Sequence, residues 1–303
     1  MKNQVKKCRG WGVKIKRIVC WFSCGAASAV GTKIALSQAN KLYPGVPVVV
    51  ANSPIKEEHL DNERFFSQCE KWFGREIVKI YNSDYPEGKN SIYEVFKKGY
   101  LKGVNGAPCT TQLKRIPRGV FQKDGDLHVF GFDLEELDRA SDFEERNSEL
   151  NVWFPLIDAE LTKADCLAML QDAGIDIPFM YKLGYSNNNC IGCVKGGAGY
   201  WNKIRKDFPE TFKKMAELER EIGHSILKEP LKIKGVQVYQ MNEDGSFKLN
   251  AKGKKMIQQI AIYLDELDPS KGVYKDEPDI DCSFSCQIAK EDNDWQLVKF
   301  MET

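Results

Sequence analysis

The sequence predicts an α/β protein with a doubly wound, mostly parallel sheet of five strands. Short apolar runs alternate with segments whose apolar residues recur at helical spacing through the first half of the chain. The runs are continuously apolar, as expected for strands that are buried on both faces. Such alternation favours crossover connections between parallel strands, with helices on both faces of the sheet. With 303 residues, the chain is long enough to bury a core without disulfides.

The elements follow from the apolar spacing in chain order. A strand at 17–22 leads through a short loop into a helix at 29–42. Further strands are predicted at 46–51, 77–81 and 127–131, and helices at 57–73 and 91–101. Beyond residue 158 the pattern predicts helices at 162–173, 210–222 and 254–267, and a hairpin at 236–249 around Glu243-Asp-Gly245. We therefore expect an α/β domain at residues 1–200 and a helical and hairpin region at 201–303 that packs on it.

The net charge shows that the protein is neither strongly basic nor strongly acidic, but its basic residues are unevenly distributed. The chain carries 44 Lys+Arg and 43 Asp+Glu, so its net charge of +1 indicates no global field for nucleic acid or membrane. Seven basic residues nevertheless lie within the first 17 positions. This arm would contact a polyanion such as nucleic acid, or serve only as a solvated tail, and the sequence leaves both interpretations open.

The cysteine content and the absence of a long apolar run predict a cytoplasmic protein. No run approaches the roughly 20 apolar residues that a membrane helix needs. Ten cysteines without a secretion signal are not expected to form a disulfide framework. The composition is that of an ordinary globular chain.

The loop after the first strand is the first candidate site. A buried strand that turns through small residues into a helix leaves backbone N–H groups at the positive end of the helix dipole, where they suit a phosphate or sulfate. In an open parallel sheet this loop also borders the ligand crevice. The turn alone is equally typical of a protein that merely packs a helix there. The predicted anion-binding residues are Ser23, Cys24, Gly25, Ala26, Ala27 and Ser28.

The cysteine spacing supplies a second candidate site. Cys190 and Cys193 form one close pair, Cys282 and Cys286 form another, and Cys109 stands alone. Converging thiolates bind zinc or an iron–sulfur cluster. Reduced structural cysteines are the third interpretation, and the spacing does not choose among the three.

A family resemblance combines these features. The loop Ser23-Cys-Gly-Ala-Ala-Ser28 resembles the PP-loop of the adenine nucleotide alpha hydrolase superfamily, with Cys24 in place of Gly and Ala27 in place of Asp. The motifs that follow resemble, in order, those of the phosphoadenosine phosphosulfate (PAPS) reductase family over about residues 17 to 200. They are Cys109-Thr-Thr-Gln-Leu-Lys114-Arg-Ile-Pro117, Gly131-Phe-Asp-Leu-Glu-Glu136 with Arg139, Pro155-Leu-Ile-Asp158, Gly174-Ile-Asp-Ile-Pro178-Phe-Met-Tyr181-Lys-Leu-Gly-Tyr185 and Cys190-Ile-Gly-Cys193.

The resemblance implies an adenine nucleotide as ligand. Its phosphates would lie over the loop 23–28, and its base along the second strand near Ala51, Asn52 and Ser53. Lys114 and Arg139 would make charge-assisted contacts to phosphate or sulfate oxygens. The Asp that Ala27 replaces helps to hold Mg²⁺ in ATP-cleaving relatives, so ATP cleavage with magnesium is one of two expectations and use of a sulfonucleotide is the other.

The resemblance also implies a metal centre at the cysteines. A [4Fe–4S] cluster would be held by Cys109, Cys190, Cys193 and one of Cys282 and Cys286, because Thr110 stands where cluster-bearing relatives carry a further cysteine. The alternative is zinc on the two close pairs, with the region after residue 200 completing the cysteine site.

The predicted function is that of a PAPS reductase-family enzyme. It would act at the α-phosphate side of ATP or a sulfonucleotide in sulfur transfer or reduction, with a thiol or electron donor as partner and a homodimer as a candidate assembly. A non-catalytic subunit that binds nucleotide or nucleic acid through a degenerate PP-loop is the alternative. Sulfur transfer onto tRNA or DNA, with the basic arm holding the nucleic acid, is a third.

Overall fold

The computed structural model describes residues 14–102, 106–250, 253–280 and 282. These residues form two compact units, which are described separately. The first contains the described residues up to 95, 109–190 and those from 279 onwards, and the second contains 96–108 and 191–278. The boundary expected at residue 200 stays a prediction, because compact packing is a different property from independent folding. Among the described residues, no helix combines the length and apolar character needed to cross a membrane.

The first unit is built on a five-stranded sheet in which every pairing is parallel, and this confirms the predicted fold class. The strand order is β3-β2-β1-β4-β5. The order therefore reverses between β1 and β4, which lie side by side with Ile18 opposite Leu127. The strands are β1 (Arg17–Trp21), β2 (Val48–Asn52), β3 (Ile77–Lys79), β4 (Asp126–Val129) and β5 (Asn151–Trp153).

Helices cover the sheet on both faces, as side-chain alternation along β1 shows. Ile18 and Cys20 pack into one core cluster with residues of the helices at 26–42, 62–73 and 163–172, while Val19 and Trp21 pack into a second cluster on the opposite face. The helices up to residue 182 are α1 (Ala26–Leu42), α2 (Asn62–Phe73), α3 (Ile92–Phe96), α4 (Pro108–Thr110), α5 (Ile116–Phe121), α6 (Leu137–Arg146), α7 (Pro155–Asp158), α8 (Lys163–Asp172) and α9 (Phe179–Lys182).

The structure differs locally from the predicted elements in two places. Helix α2 ends at Gly74, whose φ of +64° is left-handed, as expected, but it begins at Asn62 and not at residue 57. The Glu57 carboxylate instead accepts hydrogen bonds from the Ser91 hydroxyl (2.5 Å) and the Ile92 amide (2.9 Å), and so caps α3. Between α4 and α5 the chain forms a π-helical stretch, Thr111–Arg115, which the apolar spacing did not predict.

The second unit contains two helices and an antiparallel ribbon. Helices α10 (Ala198–Asp207) and α11 (Pro209–Ile222) follow one another, and the second confirms the helix expected at 210–222. The strands are β6 (Leu227–Pro230), β7 (Lys232–Ile233), β8 (Val236–Gln237) and β9 (Gln259–Ile262). The expected turn is also present, since the Asn242 amide donates to the Ser246 carbonyl at 2.8 Å.

The helix predicted at 254–267 was wrong. This segment is extended up to Tyr263 and forms a single 3₁₀ turn at Leu264–Glu266. Its strand β9 pairs antiparallel with β6, with Ile262 opposite Leu227 and Ile260 opposite Glu229. Ile260 and Ile262 are β-branched residues two positions apart, a spacing that suits a strand. Apolar residues within 254–267 also recur at helical spacing. A prediction based on spacing alone, without regard to β-branching, therefore favoured a helix.

A buried carboxylate in this second unit predicts a pH-dependent stability. The Glu219 carboxylate accepts hydrogen bonds from the Leu264 amide (2.6 Å) and the Ile226 amide, and burial raises its pKa to about 7. Because this pKa lies above its unfolded value, the stabilisation is complete below about pH 4.5 and is lost as the pH rises through 7. Glu219→Gln should flatten the fall in free energy of unfolding between pH 5 and 8. Urea titrations across this range test it, with the exposed Glu217→Gln as the charge-matched control.

Candidate functional site

The loop between β1 and α1 is a tight turn with its amides directed at oxygen atoms. Cys24 has a φ of +57°, which bends the chain sharply after β1. The Ser28 hydroxyl accepts from the amides of Ser23 (3.1 Å) and Gly25 (3.3 Å) and donates to the Gly25 carbonyl (2.9 Å). The turn is therefore held by its own serine, with the start of α1 directly beyond it.

A tyrosine hydroxyl lies against the same loop. The Tyr181 hydroxyl accepts a hydrogen bond from the Ala26 amide at 3.2 Å, and a Cβ on Gly25 would lie 3.4 Å from that oxygen. The Ala26 amide at the helix start thus points outward at an acceptor oxygen. This is the orientation that an oxyanion site at a helix N-terminus requires.

The end of β4 approaches the loop at backbone distance. A Cβ on Gly131 would lie 2.6 Å from the Ser28 Cα and 2.7 Å from the Ser28 nitrogen. Real Cβ atoms do not approach backbone this closely, so the position requires glycine. Gly131 thereby lets the ends of β1 and β4 meet where the strand order reverses.

A cleft opens at this reversal point. It lies beyond the carboxyl ends of β1 and β4, the place where open α/β sheets bind ligands. Trp21, Phe130 and Phe132 form an apolar wall, while Arg139 and Lys163 supply cations. The remaining lining residues are Ser23, Gly25, Ala27, Ser28, Gly131, Glu136, Tyr181, Asn187, Asn188, Asn189, Ile280 and Cys282.

The two cations are each held by a carboxylate. The Arg139 guanidinium contacts the Glu136 carboxylate and lies 5.1 Å from the centroid of the Phe132 ring. Lys163 Nζ lies 3.2 Å from an Asp279 carboxylate oxygen and 3.1 Å from Asn187 Oδ1. Burial acts to lower the pKa of Lys163, but Asp279, Tyr181 and Glu136 together outweigh burial and the pKa is raised, so the cleft keeps this charge.

Sequence reasoning predicted Arg139 but missed Lys163 and Tyr181 as site residues. Lys163 is the first residue of α8, after the capping residue Thr162, whose side chain accepts from the Asp165 amide. A capping sequence carries no information about the cleft that the helix start borders. Tyr181 lies within a motif that was recognised without a role for its hydroxyl.

The described part of the C-terminal segment forms one wall of the cleft. The side-chain amides of Asn187 and Asn189 donate to the Ile280 carbonyl at 3.5 and 2.8 Å. Cys282 follows and is buried. The first unit therefore brings the Cys282 thiol into the same cleft as the loop 23–28.

A buried lysine lies among three cysteines of the same unit. Lys114 Nζ donates to the Cys282 carbonyl at 3.2 Å and lies 3.8 Å from a Glu58 carboxylate oxygen. Cys109 and Cys190 are also buried and interact electrostatically with this ammonium group. Burial raises the pKa of Cys190, Glu58 and Cys282 raise it further, and Lys114 opposes them.

Other predicted residues lie outside the cleft lining. Asn52 donates to the Phe22 carbonyl at 2.8 Å, and the Ser53 hydroxyl donates to the Leu113 carbonyl at 2.5 Å. Ala51 packs in the core on one face of the sheet. A base near these three residues and a phosphate contact by Lys114 stay predictions. Of the loop residues, Cys24 and Ala26 are buried in the core on the opposite face and do not line the cleft.

The described geometry does not by itself form a metal site. Within the described residues, no group of three or more His, Cys, Asp or Glu side chains is placed to share a metal ion. Cys193 lies in the second unit, where its amide donates to the Tyr200 hydroxyl at 2.9 Å. Cys286 and the first 13 residues of the basic arm lie outside the described residues. Arg17, at the end of that arm, is bound by Asp126 at 2.6 Å.

Comparison with known proteins leaves the family of this chain unassigned. No protein-family model matches the sequence, and no curated protein matches it. Among solved structures, the chain is similar to the "U34-tRNA thiolase NcsA from Methanococcus maripaludis with its [4Fe-4S] cluster". The sequences are 14% identical, the match covers 70% of this chain and 74% of that chain, and the TM-score is 0.34.

Proposed function

We propose that this chain binds an adenine nucleotide in the cleft and acts at its α-phosphate side in sulfur transfer or reduction. The observation that carries the proposal is the convergence of the loop 23–28 with Arg139 and Lys163 at the strand-order reversal. Amides at a helix start and two cations suit the phosphate or sulfate oxygens of such a ligand. The choice of sulfur transfer or reduction as the reaction rests on the resemblance to the PAPS reductase family.

Each group of the cleft has a separate task in this proposal. The amides of the loop would receive phosphate oxygens, and the Tyr181 hydroxyl would turn from acceptor to donor toward them. Arg139 and Lys163 would neutralise charge that develops on the phosphates, an electrostatic contribution to catalysis. The aromatic wall would exclude water from the sugar and the reacting atoms.

Cys282 is the thiol that lines the cleft, so sulfur chemistry would take place there. With a sulfonucleotide, a thiolate would attack sulfur, the S–O bond to the phosphate would break, and the nucleotide would leave with that electron pair. A second thiol from a donor would then release sulfite and leave a disulfide. With ATP, an oxygen of the substrate to be activated would attack the α-phosphate, forming an adenylated substrate and releasing pyrophosphate.

Arg139 provides the direct test of ligand binding. Arg139→Met should weaken binding of ATP or adenosine 5′-phosphosulfate by about tenfold, because a charge-assisted hydrogen bond contributes roughly 1.5–3 kcal/mol. Arg146→Met is the matched control, since Arg146 lies on the same helix, pairs with Asp142 at 3.8 Å and is outside the cleft. Isothermal titration measures both. Equal affinities for the two variants would contradict the proposal.

Whether the cysteines hold a metal requires a separate measurement. Cys109, Cys190 and Cys282 are soft donors of the kind that an iron–sulfur cluster or zinc prefers, yet their described arrangement does not fit a shared metal. We therefore assign no chemical step to a metal. Anaerobic purification with iron, sulfide and zinc analysis distinguishes the cluster, the zinc site and reduced cysteines.

The non-catalytic alternative depends on Ala27, which lines the cleft. A chain that binds ATP without releasing pyrophosphate or sulfite, and whose Ala27→Asp variant gains pyrophosphate release with Mg²⁺, would be a binding subunit. Release of pyrophosphate or sulfite by the native chain favours the enzyme.

Deletion of residues 1–16 tests whether the basic arm binds nucleic acid, because phosphate contacts to nucleic acid must show a salt-dependent affinity.

A further inference from the structure

The antiparallel ribbon of the second unit, residues 227–262, has an unusual surface. It contains β6 to β9 and further bridges that join Tyr239 to Ile257, Met241 to Phe247 and Leu249 to Lys255. Backbone hydrogen bonds continue between the bridges, for example from the Gln240 amide to the Met256 carbonyl at 2.8 Å. The ribbon is thus a paired sheet beyond its short named strands.

One face of the ribbon is aromatic and exposed. Directly opposed residues of antiparallel strands share a face, as do residues two apart along one strand. Tyr239, Phe247 and Leu249 therefore share a face, on which they are 36%, 40% and 57% exposed. The rings of Tyr239 and Phe247 meet edge to face with centroids 5.8 Å apart. We name this the aromatic face.

The ribbon is rich in lysine. By the same alternation Lys228, Lys232 and Lys255 lie on the side of the aromatic face, whereas Lys248 and Lys254 lie on the opposite side. The described ribbon carries six lysines against three acids, Glu229, Glu243 and Asp244. Asp244 lies in the hairpin turn and accepts from the Ser246 amide at 2.9 Å, and Glu229 is paired with Lys271. The lysines are Lys228, Lys232, Lys234, Lys248, Lys254 and Lys255.

Lys255 shows how the face would work. Its Nζ lies 3.6 Å from the centroid of the Phe247 ring and 5.7 Å from that of Tyr239. A flexible side chain therefore covers the ring that a base would take, and turning its ammonium to a phosphate would free that ring. Aromatic platforms with nearby lysines bind single strands, because bases stack on the rings and cations hold the backbone.

We propose that the aromatic face binds single-stranded nucleic acid through stacking on Tyr239 and Phe247 and phosphate contacts from the lysines on the same side of the ribbon. This goes beyond the nucleotide cleft and uses no residue of it. A second copy of the chain is the poorer occupant, because two lysine-rich faces brought together would repel each other. A duplex is also poorer, because its stacked bases do not offer their faces to the rings.

The test measures anisotropy of a fluorescein-labelled, mixed-sequence 20-mer with the full-length chain at 50 and 200 mM NaCl. Single-stranded RNA and DNA are compared with duplexes of each. Phe247→Ala and Tyr239→Ala should each weaken single-strand binding by about tenfold. Lys228→Met with Lys232→Met, at two lysines on the side of the aromatic face, should weaken it for all sequences and lower the salt slope by about 0.7 per lysine.

Matched controls separate the face from the fold and from the cleft. Val236→Ala alters the opposite face of the ribbon, and Lys213→Met removes an exposed charge from α11. Arg139→Met should bind the single strand like wild type, because Arg139 lies in the cleft. Strand binding can therefore be interpreted even if the cleft proposal fails. Thermal unfolding confirms that each variant folds. Absence of binding, equal affinity of the aromatic variants and wild type, preference for duplex, or a dimer that these variants dissociate would overturn the proposal.

Discussion

Gly131→Ala is expected to disrupt the loop and abolish ligand binding at the cleft. The added Cβ would meet the Ser28 Cα at 2.6 Å and the Ala27 carbonyl carbon at 2.8 Å. These are backbone atoms at the start of α1, so no side-chain rotation relieves the clash, and α1 or β4 must move. Overpacking of this kind costs about 1–3 kcal/mol or more. Urea unfolding should show this loss, and stabilisation by ATP or adenosine 5′-phosphosulfate should disappear from thermal melts.

Gly119→Ala is the matched control for that substitution. Gly119 is exposed within α5, and an added Cβ would meet nothing within 4 Å. Alanine should stabilise this position by about 0.5–1 kcal/mol, because glycine loses more backbone freedom in a helix. If Gly131→Ala were as stable and as responsive to ligand as Gly119→Ala, the close approach of β4 to the loop would be refuted.

Lys114→Met is expected to destabilise the chain increasingly as the pH rises. Burial raises the pKa of Glu58 to about 7, and Lys114 at 3.8 Å opposes that rise. Without Lys114, ionising Glu58 leaves a buried charge unpaired, at a cost of roughly 3–5 kcal/mol. Near pH 5.5 Glu58 is mostly protonated in the folded chain, so the loss should be smaller there. Urea titrations at pH 5.5 and 8.5 measure the difference.

A double-mutant cycle identifies Glu58 as the cause. Lys114→Met with Glu58→Gln should recover much of the loss at pH 8.5, because the amide carries no charge. Lys89→Met, at an exposed lysine, controls for the removal of one positive charge. A loss from Lys114→Met that stays the same at both pH values, or that Glu58→Gln fails to relieve, would contradict the buried pair.

The sheet was predictable because its signal is local. Continuous apolar runs at β1 and β2 and helical spacing in α1 and α2 need no knowledge of distant contacts. The order that places β4 beside β1 is decided by packing between distant segments and was not assigned from the sequence. At 254–267 two periodicities overlapped, and pairing with β6 decided the outcome.

The candidate site was predictable only in part. The strand, turn and helix pattern around 23–28 predicted the loop, because neighbouring residues in the sequence determine its conformation. Lys163 and Tyr181 reach the cleft through tertiary packing of short helices, for which the sequence carries no local mark. Lys114 was expected at phosphate, and that contact stays a prediction. Its burial beside Glu58 and the Cys282 carbonyl depends on contacts between distant segments, which spacing alone does not reveal.

The central claim is that the amides at the start of α1 receive the phosphate or sulfate of a nucleotide. The direct measurement is a ¹⁵N amide correlation spectrum of the full chain, titrated with ATP and with adenosine 5′-phosphosulfate. We predict saturable shifts of the Gly25 and Ala26 amides, the latter as its hydrogen bond to the Tyr181 hydroxyl is exchanged for one to the ligand. Saturable binding that leaves both amides unchanged, or no saturable shift with either ligand, would contradict the account.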